Sequence, residues 1–476
     1  MSLNIPQIQV QTRKERYKMG KSLRQKASRS SHGDWRPAAD RSNPLDLLQA
    51  QDEGRLQHLL PIKYGRMLAS PFAFLRGSAV VMAADLAHTP NSGLQAILCG
   101  DAHLANFGLF ASPERRLVYD LNDFDEAFPG PWEWDVKRLA ASAAVAGRDN
   151  GFKDKTNRGL AQEVVRAYRR TMSRFAEMDT LDVWYFYVDA DALQDVFADR
   201  TTKKRRKRAQ KLIDKARSKT QAQTLAKLTY IDHDGRRRIR REPPLLIPLR
   251  AEHLAQFVDQ EDLTAISTTG VEDAWQQYLQ SLGEEKRYLL SRYKVVDAAL
   301  RVGGVGSVGT RCMIVLLQGG ADDEGLILQL KEAGPSALEA YLPSHTIKYS
   351  NHAQRVVIGQ QLMQTTNDIF LGWHKSEYLA NDFYWRQLKD MKGSIDVAKL
   401  DEDGLNTYLD LCALCLARAH ARTGDASAIT GYLGKGKSFD SAVANFAMAY
   451  ADQTDLDYQL LVEAVDSGHV VAAKGI

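Results

Sequence analysis

Apolar positions along this chain follow two rhythms. After Asn43-Pro44, a capping residue and a helix-first proline, Leu45, Leu47, Leu48 and later Leu59-Leu60 recur at helical spacing. Residues 94–135 change to short alternating runs broken by turns, which predicts strands. Residues 136–178 carry little Gly or Pro and predict a helix. From Val295 the texture turns β-rich again. VVDAALRV, a glycine loop, CMIVLLQ, the turn GGADDEG and LILQLKEA predict three antiparallel strands. Residues 351–366 read as helix and DFYWRQLKD as another strand. Over 405–421, Leu405, Tyr408, Leu409, Cys412, Cys415, Leu416 and Ala419 form one helical stripe, stopped by Gly424. There is no internal repeat.

Polar residues cluster where the first strands turn. In LCGDAHLANFGLFASPERRLVYDLNDFDEA, FGLF and LVYDL flank the turn SPER. A hairpin returns its open ends to one place, so Asn106, before the first strand, meets Asp123, after the second. Asp101 sits on the loop beside them. Asn and Asp oxygens suit Mg²⁺, which shares phosphate oxygens with its substrate, and a carboxylate outside the metal shell can take a proton from a hydroxyl. The plainer account is that these side chains cap turns.

Gly304-Val305-Gly306-Ser307-Val308-Gly309 fits G-x-G-x-x-G, but strand-loop-strand rather than the strand-loop-helix of a dinucleotide site. In LILQLKEA, Leu326, Leu328 and Leu330 share one face, and Ile327, Gln329 and Lys331 the other. Lys331 reads as a phosphate contact or as a solvated edge lysine. Glu339 is the nearest acid for it, on a helix that Pro343 breaks. Arg76, in FLRG, reads either as functional or as the partner of an acid.

Composition narrows the field. The chain has 476 residues, 44% hydrophobic and 26% charged, with 63 Lys+Arg against 59 Asp+Glu. A disordered chain, a collagen and a coiled-coil rod are excluded. So is a protein coated by nucleic acid over its whole surface. No apolar run approaches the roughly 18 residues of a membrane span, and no secretory signal opens the chain. With four scattered cysteines this gives a reducing, cytoplasmic location and no membrane partner as the expectation. Cys412-x-x-Cys415 lies on the apolar stripe and reads as core, as do Trp132 and Trp134. Residues 11–30 hold eight Lys/Arg and one Glu and predict a solvated, loose basic arm up to Trp35. Lys203–Arg208 is an unbroken cationic run, and Arg236, Arg237, Arg238, Arg240 and Arg241 follow an Asp234-Gly235 hairpin turn. Both read as solvated faces, with nucleic-acid contact the alternative.

G-D-x-x-x-x-N, a strand and then D-F resemble the catalytic and metal-binding segment of aminoglycoside phosphotransferases and other protein-kinase-like small-molecule kinases. Cys99 stands where those proteins usually have His. Asp135, opening DVKRLAAS, matches a further helix-opening Asp of that superfamily. Over nearly the full chain, SPFAFLRGSAVVMAADLA, CGDAHLANFG, DLNDFDEAFPGPWEWDVKRLAAS and GQQLMQTTNDIFLGW resemble the bacterial domain-of-unknown-function family 2252. The kinase resemblance implies ATP and Mg²⁺ as cofactors and phosphoryl transfer to an unknown acceptor. It implies Asp101 as base, Asn106 and Asp123 as metal ligands and Asp125 as a reserve ligand. Gly304, Gly306 and Gly309 become the phosphate cover and Lys331 the phosphate contact. Arg311 stands where that pattern has Val.

In ordinary kinases the glycine loop and lysine precede the catalytic loop; here they follow it. The expectation is therefore an α+β, two-lobed, protein-kinase-like fold in circularly permuted order. After a basic arm (1–43), residues 44–290 and 395–476 form a mostly helical large lobe, and 291–394 a small antiparallel-sheet lobe. LCALCLARAHARTGD resembles the helix before the catalytic loop in kinase-like proteins. Two other readings remain open: a non-catalytic nucleotide-binding module, and a nucleic-acid binder using the basic segments.

Overall fold

The computed structural model describes residues 11–192, 202–250, 268–321, 324–342, 348–376, 381–388, 390–473 and 475. Helices α1 (Arg13–Ser22), α2 (Pro44–Asp52), α3 (Leu60–Met67), α4 (Pro71–Gly77) and α5 (Ala79–Ala87) come first. Strands β1 (Gln95–Leu98), β2 (Phe107–Ala111), β3 (Leu117–Leu121) and β4 (Phe128–Pro131) follow. Next are α6 (Glu133–Asp149), α7 (Asp154–Glu177), α8 (Thr180–Tyr185), α9 (Lys203–Ser218) and α10 (Gln221–Leu228). Strands β5 (Thr229–Ile231), β6 (Arg237–Ile239) and β7 (Leu246–Pro248) then precede α11 (Thr268–Gln280) and α12 (Glu284–Leu290). Strands β8 (Lys294–Arg301), β9 (Cys312–Gln318) and β10 (Gly325–Ala333), α13 (His352–Met363), β11 (Gly372–Lys375) and β12 (Asp382–Gln387) follow. The chain closes with α14 (Glu402–Thr423), α15 (Ala426–Leu433) and α16 (Ser438–Asp466). The fold is α+β, and no helix among the described residues is long and apolar enough to cross a membrane.

The helical part is built on α6 and α14. Alanine-rich α6 is buried from Glu133 to Gly147, which lets α7 and α16 approach it closely. The stripe of α14 packs on α7 and on β3, with Cys412 and Cys415 as buried free thiols. Asp401 caps α14 by accepting from the Gly404 amide, and the helix ends at Gly424. Trp132 is fully buried and stacks on Tyr168 at 5.6 Å. The helix expected over 136–178 is two helices, because Gly151 takes φ +78° and turns the chain between α6 and α7.

The other layer is one antiparallel sheet in the order β11-β12-β10-β9-β8-β7. Lys331 of β10 lies opposite Cys312 on β9 and Tyr384 on β12. β10 is therefore an inner strand, and Lys331, 4% exposed, is no solvated edge lysine. Elements from before residue 291 also belong with this sheet. β7 pairs with β8, and α11 sends Tyr278 to stack on Trp385 at 4.5 Å. The hairpin predicted at Asp234-Gly235 is β5–β6, with Gly235 at φ +74°.

The basic arm is not loose over its described part; residues 1–10 lie outside the described residues. Thr12 and Glu15 form a capping box on α1. A Cβ on Gly20 would lie 1.8 Å from the Ala428 carbonyl oxygen, and one on Gly431 would lie 2.1 Å from that of Tyr17, so α1 and α15 meet backbone to backbone. Arg24 donates to the carbonyls of Gly431 and Tyr432 at 2.6 and 2.9 Å, and Arg29 to that of Leu433 at 2.7 Å. The last turn of α15 has carbonyls without helical donors, and the arm's arginines supply them.

Buried histidines give the fold a pH dependence, His32 and His374 among them. The His32 Nε2–H donates to the Tyr432 hydroxyl at 2.6 Å, since that hydroxyl's own proton goes to the Ala27 carbonyl. His32 Nδ1 is buried without a partner. His374 Nδ1 accepts from the Trp385 indole at 2.9 Å. Burial lowers the His32 pKa to about 2 and that of His374 to about 4. Unfolded, both titrate near about 6.5. Between those values the unfolded chain binds more protons, so this contribution is complete above about 6.5 and is lost as pH falls. Each ring supplies up to about 1.4 kcal/mol per pH unit. The urea midpoint is expected to fall from pH 7.5 to 5.0, and to fall less steeply in His32→Phe. Parallel profiles for the two proteins would refute this.

Candidate functional site

The hairpin β2–β3 closes as its sequence demands, pairing Phe107 with Leu121, and the Asn122 amide donates to the Asn106 carbonyl at 3.1 Å. The loop before it is shaped from α6. Gly100 takes φ +78°, and a Cβ there would lie 2.3 Å from the Glu126 carbonyl oxygen. Asp135, in the first turn of α6, accepts from the amides of Cys99 and Gly100 at 2.7 and 2.9 Å. His420 of α14 contacts the same carboxylate at 3.2 Å. Arg138, one turn along the same face of α6, donates to Asp101 Oδ1 at 2.6 Å. Asn106 Nδ2 donates to the Asp101 carbonyl at 2.7 Å. From the other side, Arg418 of α14 donates to both oxygens of Asp120 at 2.6 and 2.7 Å and holds the end of β3.

The sheet meets this loop through Lys331. Its Nζ donates to Asp125 Oδ2 at 2.5 Å and stands 3.9 Å from Asp123 Oδ1. Tyr384, opposite Lys331 on β12, donates its hydroxyl to Asp125 Oδ1 at 2.6 Å. Both Asp125 oxygens are thus engaged, whereas the Asp123 side chain is 38% exposed. Burial works to raise both carboxyls. At Asp125 the charge and hydrogen bond of Lys331, with the Tyr384 hydroxyl, outweigh it and hold the pKa below the ordinary range. At Asp123 burial and the neighbouring Asp125 charge prevail, and its pKa is raised. Burial would lower Lys331, but Asp123 and Asp125 together raise it well above the ordinary lysine value. Burial also opposes the charge on Asp101, where Arg138, then His103 and Arg76, win and lower its pKa. The acid beside Lys331 is therefore Asp125 and not Glu339, which lies in the short turn Glu339–Tyr341; Pro343 is outside the described residues.

Between sheet and hairpin opens a cleft of about 460 Å³. Asp123, Lys331 and Gly304 all line it, with Ser307, Asn122 and Arg386. Asp101, Asn106, Gly306 and Gly309 are not among its walls. The glycine loop is fastened on its far side by the helices before the hairpin. Arg66 donates to the Gly304 carbonyl at 2.6 Å, and Arg55 to those of Gly306 and Val308, each at 2.6 Å. The Leu56 amide donates to the Gly309 carbonyl at 2.7 Å. Gly304 and Gly309 take φ +71° and +91°, where a side chain would strain the backbone.

Arg386 was missed in the sequence. It follows Tyr384 by two in DFYWRQ, which puts both on one face of β12. Its Nε donates to Gln329 Oε1 at 3.0 Å, the residue facing it on β10. That alternation was the available signal. Among the described residues no three His, Cys, Asp or Glu side chains gather as a metal-holding group. Asp123, partly exposed and with Asp125 beside it, has the chemistry of a Mg²⁺ ligand, since that ion takes one or two carboxylates and fills its shell with water and phosphate.

The chain belongs to the bacterial family described as "Uncharacterized protein conserved in bacteria (DUF2252)", whose model matches residues 55–464. No curated protein and no solved structure matches it.

Asp135 carries the loop that holds Asp101. Asp135→Ala removes the acceptor for two buried amides and for His420, and is expected to cost about 3 kcal/mol in urea unfolding. The Cys99 and Gly100 amides should exchange with solvent faster than in the parent. Unchanged exchange at both would remove Asp135 from this role.

Proposed function

Taking the chain as a member of that bacterial family, we propose that it is an ATP- and Mg²⁺-dependent phosphotransferase with a protein-kinase-like, permuted two-lobed fold. One observation carries the reading: Lys331, Asp123 and Gly304, from distant parts of the chain, line a single cleft. In kinases a glycine-rich loop covers the phosphates, a lysine on the third strand contacts them, and an aspartate holds the metal. Here the glycine loop joins β8 to β9, Lys331 is on β10, and helix α13 follows. The sheet with its flanking helices acts as the small lobe and the helices around α6 and α14 as the large one.

In this reading Lys331 and Arg386 receive phosphate oxygens. Asp123 and Asn106 would hold Mg²⁺, and the ion would supply neutralisation of phosphate charge. Asp125, with both oxygens occupied, positions Lys331 rather than serving as the reserve ligand. The acceptor's hydroxyl oxygen attacks the γ-phosphorus, the bond to the β-phosphate oxygen breaks, and ADP leaves. The hydroxyl proton passes to Asp101, which Arg138 keeps ionised and oriented.

A second reading, a nucleotide-binding module without turnover, draws on the same ion pair. A carboxylate held below its ordinary pKa is a weak base, and Asp101 lies outside the cleft walls.

Mg²⁺·ATP is expected to raise the melting temperature of the full chain and to be turned over slowly to ADP. Lys331→Met should lower nucleotide affinity at least tenfold. Asp123→Ala should stay folded, bind nucleotide without help from Mg²⁺ and lose turnover. Binding without turnover in the parent selects the second reading. No stabilisation by ATP, with or without Mg²⁺, rejects both.

A further inference from the structure

Arg76 stands in the last turn of α4 and is partly buried. Its Nε is buried without a hydrogen-bond partner, and among the described residues no carboxylate forms an ion pair with it. Asp101 acts on it only through space, and that carboxylate is already matched by Arg138 at 2.6 Å. His103, at 3.4 Å on the other oxygen of Asp101, is also buried. Two guanidiniums thus share one carboxylate. Three other shielded arginines each keep an acid or a set of carbonyls, although Arg418 Nη1 and Arg355 Nε are likewise buried without a partner. Arg418 has Asp120, Arg41 lies between Asp85 and Asp457, and Arg355 donates to the carbonyls of Ala127, Asp125 and Gly334. A partly buried cation with no carboxylate of its own is costly and survives where something other than folding retains it.

Its location says what that is. A Cβ on Gly306 would lie 3.5 Å from the Arg76 carbonyl oxygen, so the glycine loop passes over this turn of α4. The charge of Arg76 acts on Asp101 and His103. Arg76 is therefore between the glycine loop and the Asp101 loop, yet not among the walls of the cleft that hold Lys331. A guanidinium fork matches the paired oxygens of a phosphate or carboxylate. We infer that Arg76 binds an anionic group of the acceptor, so that the acceptor is a hydroxyl compound carrying its own phosphate or carboxylate. Burial lowers the guanidinium's proton affinity despite Asp101, in keeping with a charge that lacks its counterion. This rests on the phosphotransferase reading for the word acceptor, but the anion site itself does not.

The test titrates the full chain with inorganic phosphate by calorimetry, with a non-hydrolysable ATP analogue and Mg²⁺ at saturation to occupy the nucleotide's own phosphate positions. The parent should bind phosphate, and Arg76→Gln should bind it at least tenfold more weakly with unchanged affinity for the analogue. Arg76→Lys, which keeps the charge, should recover part of the loss. Ligand-free Arg76→Gln should melt above the parent, because an uncompensated charge has gone. Equal phosphate affinity in parent and Arg76→Gln overturns the inference. So does a variant that loses affinity for the analogue instead, which would make Arg76 a contact of the nucleotide's terminal phosphate. Should the parent bind phosphate through Arg76 but no analogue, the nucleotide reading falls and the anion site stands. Should it bind the analogue but no phosphate, the reverse holds.

Discussion

The ion pair between Lys331 and Asp125 joins the two layers of this protein. Its partners come from β10 and from the turn after β3, 206 residues apart. Taking an ammonium and a carboxylate out of water costs several kcal/mol per ion, and attraction offsets this only when the remaining hydrogen-bonding capacity is also met. Tyr384 meets it twice. Its hydroxyl takes the second Asp125 oxygen, and its ring lies 5.3 Å from the Lys331 ammonium. Tyr384 faces Lys331 across the β10–β12 ladder, so a slip in strand register would remove the pair and its support together. The pair also divides two adjacent acids. Asp125 is consumed in holding the layers, and Asp123 is left facing the cleft with its pKa raised by burial and by the Asp125 charge.

That division depends on a rigid floor beneath it. α6 presents Asp135 and Arg138 on one face, the first gripping the backbone of the Cys99-Gly100 turn and the second the side chain of Asp101. α14 supplies Arg418 to Asp120 and His420 to Asp135. An acid inside the chain's first half is thus answered by a base near its end in each case. The C-terminal helix is part of the floor and not an appendage. Buried polar networks bonded in this way hold side chains to one geometry, which is what a loop with left-handed Gly100 needs in order to keep Asp101 in place.

Local patterns made much of this legible. The β2–β3 hairpin, the glycine loop, the alternation in β10 and the stripe of α14 each follow from periodicity or turn chemistry, which act over a few residues. What stayed hidden was pairing across the chain. Asp123 and Asp125 are the same residue type two apart, and only the position of the sheet decides which one Lys331 takes. Composition misled at the N-terminus. A stretch with eight Lys/Arg reads as a solvated arm, but Arg24 and Arg29 spend their donors on the carbonyls that end α15, and Gly20 and Gly431 allow the close approach. Arg76 stayed undecided for the opposite reason, since sequence cannot show that a partner is missing.

The glycine loop shows how the helices before the hairpin bear on the cleft. Asp52 holds Arg55 at 3.2 Å while accepting from Lys63 and Tyr64. Arg55 and Arg66 in turn take the carbonyls of Gly304, Gly306 and Val308. A trans peptide points its C=O and the following N–H in opposite directions. Three carbonyls turned toward the arginines therefore turn the amides of Val305, Ser307 and Gly309 away from them. Amides gathered on one side of a glycine-rich loop give that side a positive partial charge. In the phosphotransferase reading the arginines act without touching the nucleotide, because they fix which way these amides face. This orientation is set before any ligand arrives, so the loop would not have to spend binding energy on ordering itself.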